Sequence, residues 1–188
     1  MGQYFSIGLV CFFLLFMLIP ISVSAQSHSV SIGYGFGIFS SSRGIGYIEE
    51  GRYDFIQCSY RYEWSLSEIL GLLIEPFASY TYAPHEGVDG GITLSLKYNF
   101  HKKNQNGFFL NLGGGAAYTS IKFEEQGTHL LFIVHGGIGF KWKDFFIENR
   151  LKHYSNAHTA SPNRAINSNI IMVGMYFWIV GELPTLSL

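Results

Sequence analysis

From residue 26 onward, the chain consists of short segments rich in Gly, Tyr, Phe and Ile, separated by polar turns. Each segment has about the 9–11 residues that a tilted β-strand needs to cross a bilayer, and no stretch is apolar for the roughly 20 residues of a membrane-spanning helix. Eight such segments can be counted: Val30–Phe39, Tyr53–Tyr62, Leu72–Tyr82, Gly91–Phe100, Gly107–Tyr118, Leu130–Phe140, Asp144–Tyr154 and Asn169–Trp178. An even strand number is typical of single-chain bacterial barrels, in which closure pairs every backbone group inside lipid. The sequence therefore predicts an all-β fold, an eight-stranded antiparallel transmembrane β-barrel in the outer membrane of a Gram-negative bacterium.

The composition agrees with a membrane-embedded surface. Only 13% of the 188 residues are charged, whereas 48% are apolar and 17% aromatic. Soluble proteins carry about twice this charged fraction, and disordered chains have far fewer apolar residues. The length suits one domain. A formal net charge of -1 provides no basic surface of the kind that binds nucleic acid.

The first 25 residues form a separate segment. The run Ile7–Ile19 is almost wholly apolar, Pro20 interrupts it, and Ser22–Ala25 supplies small residues suited to signal-peptidase cleavage. We therefore expect a cleavable signal peptide over 1–25 and a barrel domain over 26–188. A single transmembrane anchor is the alternative, although the apolar run is short for a span.

Neither the cysteines nor the glycines indicate a cofactor. Cys11 would leave with the signal peptide, so Cys58 would have no partner for an intrachain disulfide. The spacing of Cys and His is not that of a metal site. The glycines of Gly33–Gly37 and Gly113–Gly115 lack the spacing and the strand–helix context of a dinucleotide-binding loop. No metal or other cofactor is expected.

The connections between segments predict the orientation of the barrel. Compact or charged turns are expected at the periplasmic end: Trp64–Leu70, His101–Asn106 and Lys141–Lys143. The other connections are expected outside, where loops are generally longer: Ser40–Gly51, Ala83–Val88, Ser120–Thr128 and Ser155–Ser168. The seventh segment then ends at the outer surface.

The seventh segment alternates clearly between two faces. One parity carries three charged side chains, Glu148, Arg150 and Lys152. The other parity is mainly apolar, with one polar interruption, and ends in two polar residues: Phe145, Ile147, Asn149, Leu151, His153 and Ser155. Since charge is costly on the lipid face, the charged set should point into the lumen. His153 and Ser155 are therefore predicted on the lipid-facing surface near the outer rim.

His153 and Ser155 have the side-chain types of a nucleophilic site. A serine hydroxyl acts as a nucleophile when a base lies within hydrogen-bond reach. Nearby amides can donate to a developing oxyanion: Asn156, Asn163, Asn167 and Asn169. The pair alone is a common pattern, and the alternative is an interfacial histidine bonded to a loop.

Three short motifs carry a family resemblance. His153–Ala157, Pro162-Asn163 and Ile166–Ser168 together resemble the C-terminal signature of the lipid A 3-O-deacylase family. Glu75–Phe77, Gly113–Tyr118 and Gly127–Phe140 are also similar to that family. The resemblance implies an eight-stranded outer-membrane barrel that removes an ester-linked acyl chain from lipopolysaccharide, with lipid A in the outer leaflet as its partner.

The resemblance also implies roles for individual residues. Ser155 matches the family's nucleophile and His153 its base. Asn163 matches an amide near the oxyanion, and Asn156 belongs to the same motif and supports its geometry. Asn167 stands where the family has a catalytic Glu. An amide can orient His153, but it cannot stabilise the imidazolium with a negative charge.

The departure at Asn167 leaves three interpretations open. This chain works with an amide, another acid such as Glu124 or Glu125 supplies the charge, or the site is slow. Ala165 also replaces a Gly that is usual in the signature. In the same loop, Arg164 is a candidate for binding a lipid A phosphate, because guanidinium binds phosphate in a bidentate manner.

Several other assignments stay open at this point. His158 is a second candidate for contacting a substrate phosphate, and the alternative for it and for Arg164 is an ordinary solvated loop residue. His135 is expected to be structural or luminal. The competing functions are a non-catalytic barrel for adhesion, binding or surface stability, and a lipid A acyltransferase. A homodimer is left open.

Overall fold

The computed structural model of the protein describes residues 24–102 and 105–177. It contains eight strands: β1 (Ser24–Gly37), β2 (Asp54–Ser65), β3 (Leu70–Ala83), β4 (Gly87–Asn99), β5 (Gly107–Thr119), β6 (Leu130–Trp142), β7 (Phe145–Ser155) and β8 (Ile166–Phe177). Residues 1–23 of the predicted signal peptide, and residues 178–188 of the predicted barrel domain, lie outside the described residues. The signal peptide and the domain boundary stay predictions.

The eight strands form one closed barrel in chain order, and every neighbouring pair is antiparallel. Closure occurs between β1 and β8, where Val30 pairs with Met175 and Phe36 with Asn169. The predicted eight-stranded antiparallel barrel is confirmed. Within the described residues, no helix has the length and apolarity that a membrane crossing requires.

The connections sort into two ends. Loop 1 (38–53), loop 2 (84–86), loop 3 (120–129) and loop 4 (156–165) share one end, here called the loop end. The connections at 66–69, 100–106 and 143–144 share the other. This grouping is the one predicted from the character of the turns.

Four strands begin earlier than predicted. β1 begins at Ser24 instead of Val30, β3 at Leu70 instead of Leu72, β4 at Gly87 instead of Gly91, and β8 at Ile166 instead of Asn169. Most inward residues of the longest extensions are polar and buried in the lumen, namely Ser27, Ser29, Asp89 and Ser168, whereas Ile166 is apolar. Because a small barrel has a polar interior, such residues look like loop in the sequence although they are strand. The predicted outer loop Ser155–Ser168 is therefore too long, and Asn167 lies on β8.

Alternation along the strands places charge inside and apolar side chains outside. Four buried charged residues form a luminal ion cluster, Arg61, Glu75, Glu148 and Arg150. Arg150 reaches both Glu75 and Glu148 at 2.9 Å. Arg61 lies 2.8 Å from Glu75 and 2.7 Å from Glu148. The predicted inward direction of the charged parity of β7 is confirmed.

The rest of the lumen is also filled. Lys152 donates to Gln57 at 2.8 Å, and His135 lies 3.1 Å from the hydroxyl of Ser95, so His135 is luminal as expected. Near the loop end, Ile48 of loop 1 and Phe123 of loop 3 belong to a buried apolar cluster with residues of the strands. Side chains thus fill the interior, as is usual for eight-stranded barrels.

Candidate active site

The site is centred on two neighbouring strands at the loop end. His153 of β7 is the register partner of Asn167 of β8, and the side chains of both are partly exposed on the outer face. His153 Nδ1 lies 2.8 Å from Asn167 Oδ1. A carbonyl oxygen only accepts hydrogen bonds, so Nδ1 carries the proton. In the neutral imidazole, Nε2 is then free of its proton and able to act as a base.

Ser155 is the last residue of β7 and lies on the same face as His153. Two residues along a strand span roughly 6.6 Å, a distance that a histidine side chain can bridge. Ser155 is partly exposed and pairs in register with Phe132 of β6. The structure thus places the serine and the histidine two residues apart on the outer face, not in the lumen.

Asn156 organises loop 4 directly after Ser155. Its side chain is fully buried; Nδ2 donates to the carbonyl of Pro162 at 2.8 Å, and Oδ1 accepts from the backbone N–H of His158 at 3.0 Å. Ala157 and His158 both have left-handed backbone, with φ of 49° and 63°. Asn156 therefore holds a tight turn beside Ser155, which supports its expected role in the local geometry.

Asn163 faces this turn with both ends of its amide. Its Oδ1 accepts from the backbone N–H of Asn156 at 2.9 Å, and its Nδ2 lies 3.2 Å from His158 Nδ1. The amide of Asn163 is the oxyanion donor that the resemblance implies, and the backbone N–H after the nucleophile is a second group able to donate there. They meet at one place, and in this arrangement each of them already has a partner.

Glu124 and Glu125, the two acids considered as alternatives to Asn167, lie in loop 3 and form hydrogen bonds with loop 1. Glu125 Oε1 accepts from the backbone N–H of Glu50 at 2.9 Å, and the carboxylate of Glu50 accepts from the backbone N–H of Glu124 at 3.2 Å. The backbone carbonyl of Glu125 accepts from Arg164 N–H at 2.8 Å. These contacts join loops 1, 3 and 4 into a cap, whereas the Nδ1–H of His153 donates to Asn167.

The two weaker substrate-binding candidates lie on loop 4. Arg164 forms an ion pair with Glu49 of loop 1, and its side chain is largely exposed. The hydrogen bond and the negative charge of Glu49 raise the pKa of Arg164. The exposed ring of His158 contacts Asn163. Both candidates therefore lie at the surface of the loop end, on the loop that follows Ser155.

An apolar groove of about 330 Å³ runs along the outer face next to His153 and Asn167, and we call it the outer groove. Its other outward-facing residues are Phe39, Leu112, Val134, Gly136 and Leu151. Gly136 is the register partner of both Leu112 and Leu151. Because it has no side chain, the surface between these two leucines stays open.

A second polar pair lies further from the loop end on the same two strands. Asn149 Nδ2 donates to Asn169 Oδ1 at 3.2 Å, and Asn169 Nδ2 donates to Asn149 Oδ1 at 2.8 Å. The sequence singled out Asn149 as a polar interruption but did not identify its partner. Together with the site they form an outer polar stripe: Asn149, His153, Ser155, Asn167 and Asn169.

Sequence reasoning also missed how Asn167 is held. Ser40 Oγ accepts from the backbone N–H of Asn167 at 2.6 Å, and the backbone N–H of Ile38 donates to the carbonyl of Asn167 at 2.9 Å. Ser40 was noted only as the start of a loop. Across residues 24–102 and 105–177, no group of three or more His, Cys, Asp or Glu side chains is arranged to hold a metal ion.

Comparison with known proteins shows the family and the fold. A family model described as Lipid A 3-O-deacylase (PagL) matches residues 51–176. The crystal structure of the outer membrane enzyme PagL superposes with a TM-score of 0.61 at 17% identity, covering 80% of this chain and 99% of that one. Neisserial surface protein A superposes with a TM-score of 0.57 at 11% identity, over 84% and 99% of the two chains. The N-terminal barrel of Pseudomonas aeruginosa OprF gives 0.52 at 13%, over 83% and 100%. No curated protein sequence matches significantly.

Proposed function

Since the chain belongs to the lipid A 3-O-deacylase family, we propose that it is an outer-membrane esterase that removes an ester-linked acyl chain from lipid A by a Ser–His mechanism. One observation carries the proposal. His153 is oriented by Asn167 at 2.8 Å on the outer face of the barrel, with Ser155 on the same strand and face. An ester in the outer leaflet reaches such a site directly from the membrane.

In the proposed reaction, Ser155 is the nucleophile and His153 the general base. Nε2 of His153 takes the hydroxyl proton while Oγ attacks the acyl carbonyl carbon. The tetrahedral intermediate collapses, the ester C–O bond breaks, and the proton passes from His153 to the departing sugar oxygen. Water then attacks the acyl-serine with help from His153, which releases the fatty acid and restores the serine.

The oxyanion of the intermediate needs donors close to Ser155. Asn163 and the backbone N–H of Asn156 are the candidates, because they meet beside Ser155. The N–H of Asn156 has to leave Asn163 Oδ1 to donate to the oxyanion, whereas Asn163 Nδ2 has a second N–H besides the one that faces His158. Loss of one such donor typically costs about 2.7–4 kcal/mol in the activation barrier.

Asn167 orients His153 in the proposed mechanism and contributes no charge. Its side-chain oxygen fixes the tautomer of the imidazole, which is one of the two tasks of the acid in a Ser-His-Asp triad. The other task, stabilising the imidazolium, is left to the surrounding dipoles. We therefore expect a low turnover number.

Lateral access is supported by the filled lumen and the outer groove. Buried side chains close the interior, while the groove includes His153 and is lined mainly by apolar side chains. The acyl chain of a membrane lipid can lie in this groove and place its ester near Ser155. Arg164 and His158, at the loop end, are candidates for the phosphate groups of the substrate.

Mass spectrometry of lipid A is the direct test. The full chain is expressed in a Gram-negative host of defined lipid A, and correct insertion is checked by heat-modifiable migration of the barrel. We expect loss of one ester-linked acyl chain, abolished by Ser155→Ala, and retained in the matched control Ser161→Ala in loop 4. Unchanged lipid A with an inserted barrel would indicate a non-catalytic protein, and a gain of acyl mass would indicate acyl transfer.

A further inference from the structure

We propose that Phe39 of loop 1 is a specificity-determining residue that contacts the acyl chain of the lipid whose ester is presented to Ser155. This inference rests on the proposed function and goes beyond it. Phe39 lies outside the residues 51–176 that match the family model. The match to the family model therefore does not include this residue.

The backbone of Phe39 is the first observation. Its φ is 53°, in the left-handed region that bulky residues rarely adopt. Gly or Asn would occupy this position at much lower cost. A large aromatic residue held in this conformation indicates that its side chain has a use at this position.

The surroundings of the ring are the second observation. The side chain of Phe39 is 82% exposed, so it does not fill the core. It lines the outer groove together with His153 and Asn167. The ring is thus an apolar wall of the groove that also contains the candidate base.

The residues on either side of Phe39 are the third observation. Ile38 and Ser40 hold the backbone of Asn167 through hydrogen bonds of 2.9 and 2.6 Å. Asn167 in turn holds His153. An acyl chain that presses on Phe39 is therefore connected, through one short segment, to the residue that orients the catalytic base.

The occupant is an acyl chain because the groove is apolar and continuous with the proposed ester-cleaving site. Its outward-facing walls include Leu112, Val134 and Leu151, each at least half exposed. The adjoining side chains, His153 and Asn167, are polar but carry no formal negative charge. This chemistry fits a hydrocarbon chain that ends in an ester.

Steady-state kinetics in mixed micelles test the contact. Phe39→Gly keeps the left-handed backbone without strain, so folding is not at risk. We expect it to raise KM for lipid A about tenfold, from the lost apolar contact, with a change in kcat below threefold. Phe39→Leu should keep KM close to that of the parent protein, because leucine preserves most of the apolar contact. Ile45→Ala, at an exposed apolar residue of the same loop, should leave both constants unchanged. Equal KM for Phe39→Gly and the parent protein would overturn the proposal.

A binding measurement separates this inference from the proposed function. Phe39→Trp and Ile45→Trp are each made in a Ser155→Ala background and placed in nanodiscs with trace lipid A carrying brominated acyl chains. After subtraction of the Ser155→Ala emission, the Phe39→Trp variant should be quenched saturably, and the Ile45→Trp variant only weakly. If the parent protein with Ser155 shows no esterase activity, such quenching would support the acyl contact and reject the esterase. Equal quenching of the two variants, or none, would reject the contact even in an active enzyme.

Discussion

The luminal ion cluster and the outer polar stripe both include residues of β7, where they alternate, but they differ in charge and in exposure. Glu148 and Arg150 point inward, are buried, and meet oppositely charged partners within 2.7–2.9 Å. Asn149 and His153 point outward, and their partners on β8 are neutral amides. One strand thus separates full charges from neutral polar groups by alternate residues.

The difference shows what each environment tolerates. A charge inside the barrel is stabilised by a fixed counter-charge, whereas on the lipid face a Lys or Arg at mid-depth costs about 2–4 kcal/mol and a carboxylate somewhat less. Neutral amides can satisfy one another there at lower cost. Asn167 keeps the outer polar stripe free of a carboxylate, at the expense of charge stabilisation in the proposed reaction.

Breaking the luminal ion cluster should give the largest effect. Arg150→Met leaves Glu75 and Glu148 with Arg61 as their remaining partner in the cluster. We expect the free energy of unfolding to fall by about 3–5 kcal/mol, the usual cost of an uncompensated buried charge. Denaturant unfolding of the barrel refolded into vesicles measures it.

The matched control for Arg150→Met is the exposed ion pair between Lys102 and Glu68, whose side chains are 66% and 71% exposed. Lys102→Met should change the free energy of unfolding by less than about 1 kcal/mol. Similar losses of unfolding free energy for the two variants would show that the buried cluster contributes no more stability than an exposed ion pair.

Adding a charge to the outer polar stripe tests the comparison through its effect on kcat. Asn167→Glu supplies the negative charge that His153 lacks, and we expect kcat to rise about tenfold or more, within the roughly 10⁴ that separates acid from amide in a Ser-His-Asp enzyme. Asn169→Glu is the control, because it adds the same charge to the same face two residues away. No gain in Asn167→Glu would mean that this site uses another arrangement.

The reciprocal amide pair should give the smallest effect. Asn149→Leu or Asn169→Leu alone leaves one amide facing lipid, and the free energy of unfolding should fall by about 1 kcal/mol. The double variant removes both amides and should be close to the parent protein, because no polar group is then unpaired. A double variant that loses the sum of both single effects would contradict the pairing. The same vesicle unfolding assay measures all three.

Strand number, antiparallel order and the inward direction of the charged residues were predictable from the sequence. They follow from segment length and from alternation, which is clearest where charged and apolar residues exchange places, as in β7. The start of β1 was not predictable, because Ser27 and Ser29 are polar whether they line a lumen or belong to a loop. The same ambiguity hid the first residues of β8.

For the site, Ser155 and His153 could be named from the sequence, because they follow one another on one face of a strand. The bond between His153 and Asn167 depends on the register of β7 and β8, which only the family resemblance suggested. The contacts of Ser40 with Asn167, and of Asn149 with Asn169, join distant parts of the chain and leave no local pattern. They became visible only with the closed barrel.

The position of Ser155 on the outer face changes the meaning of substrate concentration for the proposed reaction. A lipid arrives by diffusion within the plane of the membrane and never passes through water. The rate then depends on the mole fraction of the lipid in the outer leaflet, and dilution of the cells in buffer leaves it unchanged. An inert lipid that takes the place of substrate around β6, β7 and β8 would slow the enzyme by surface dilution, without occupying its site.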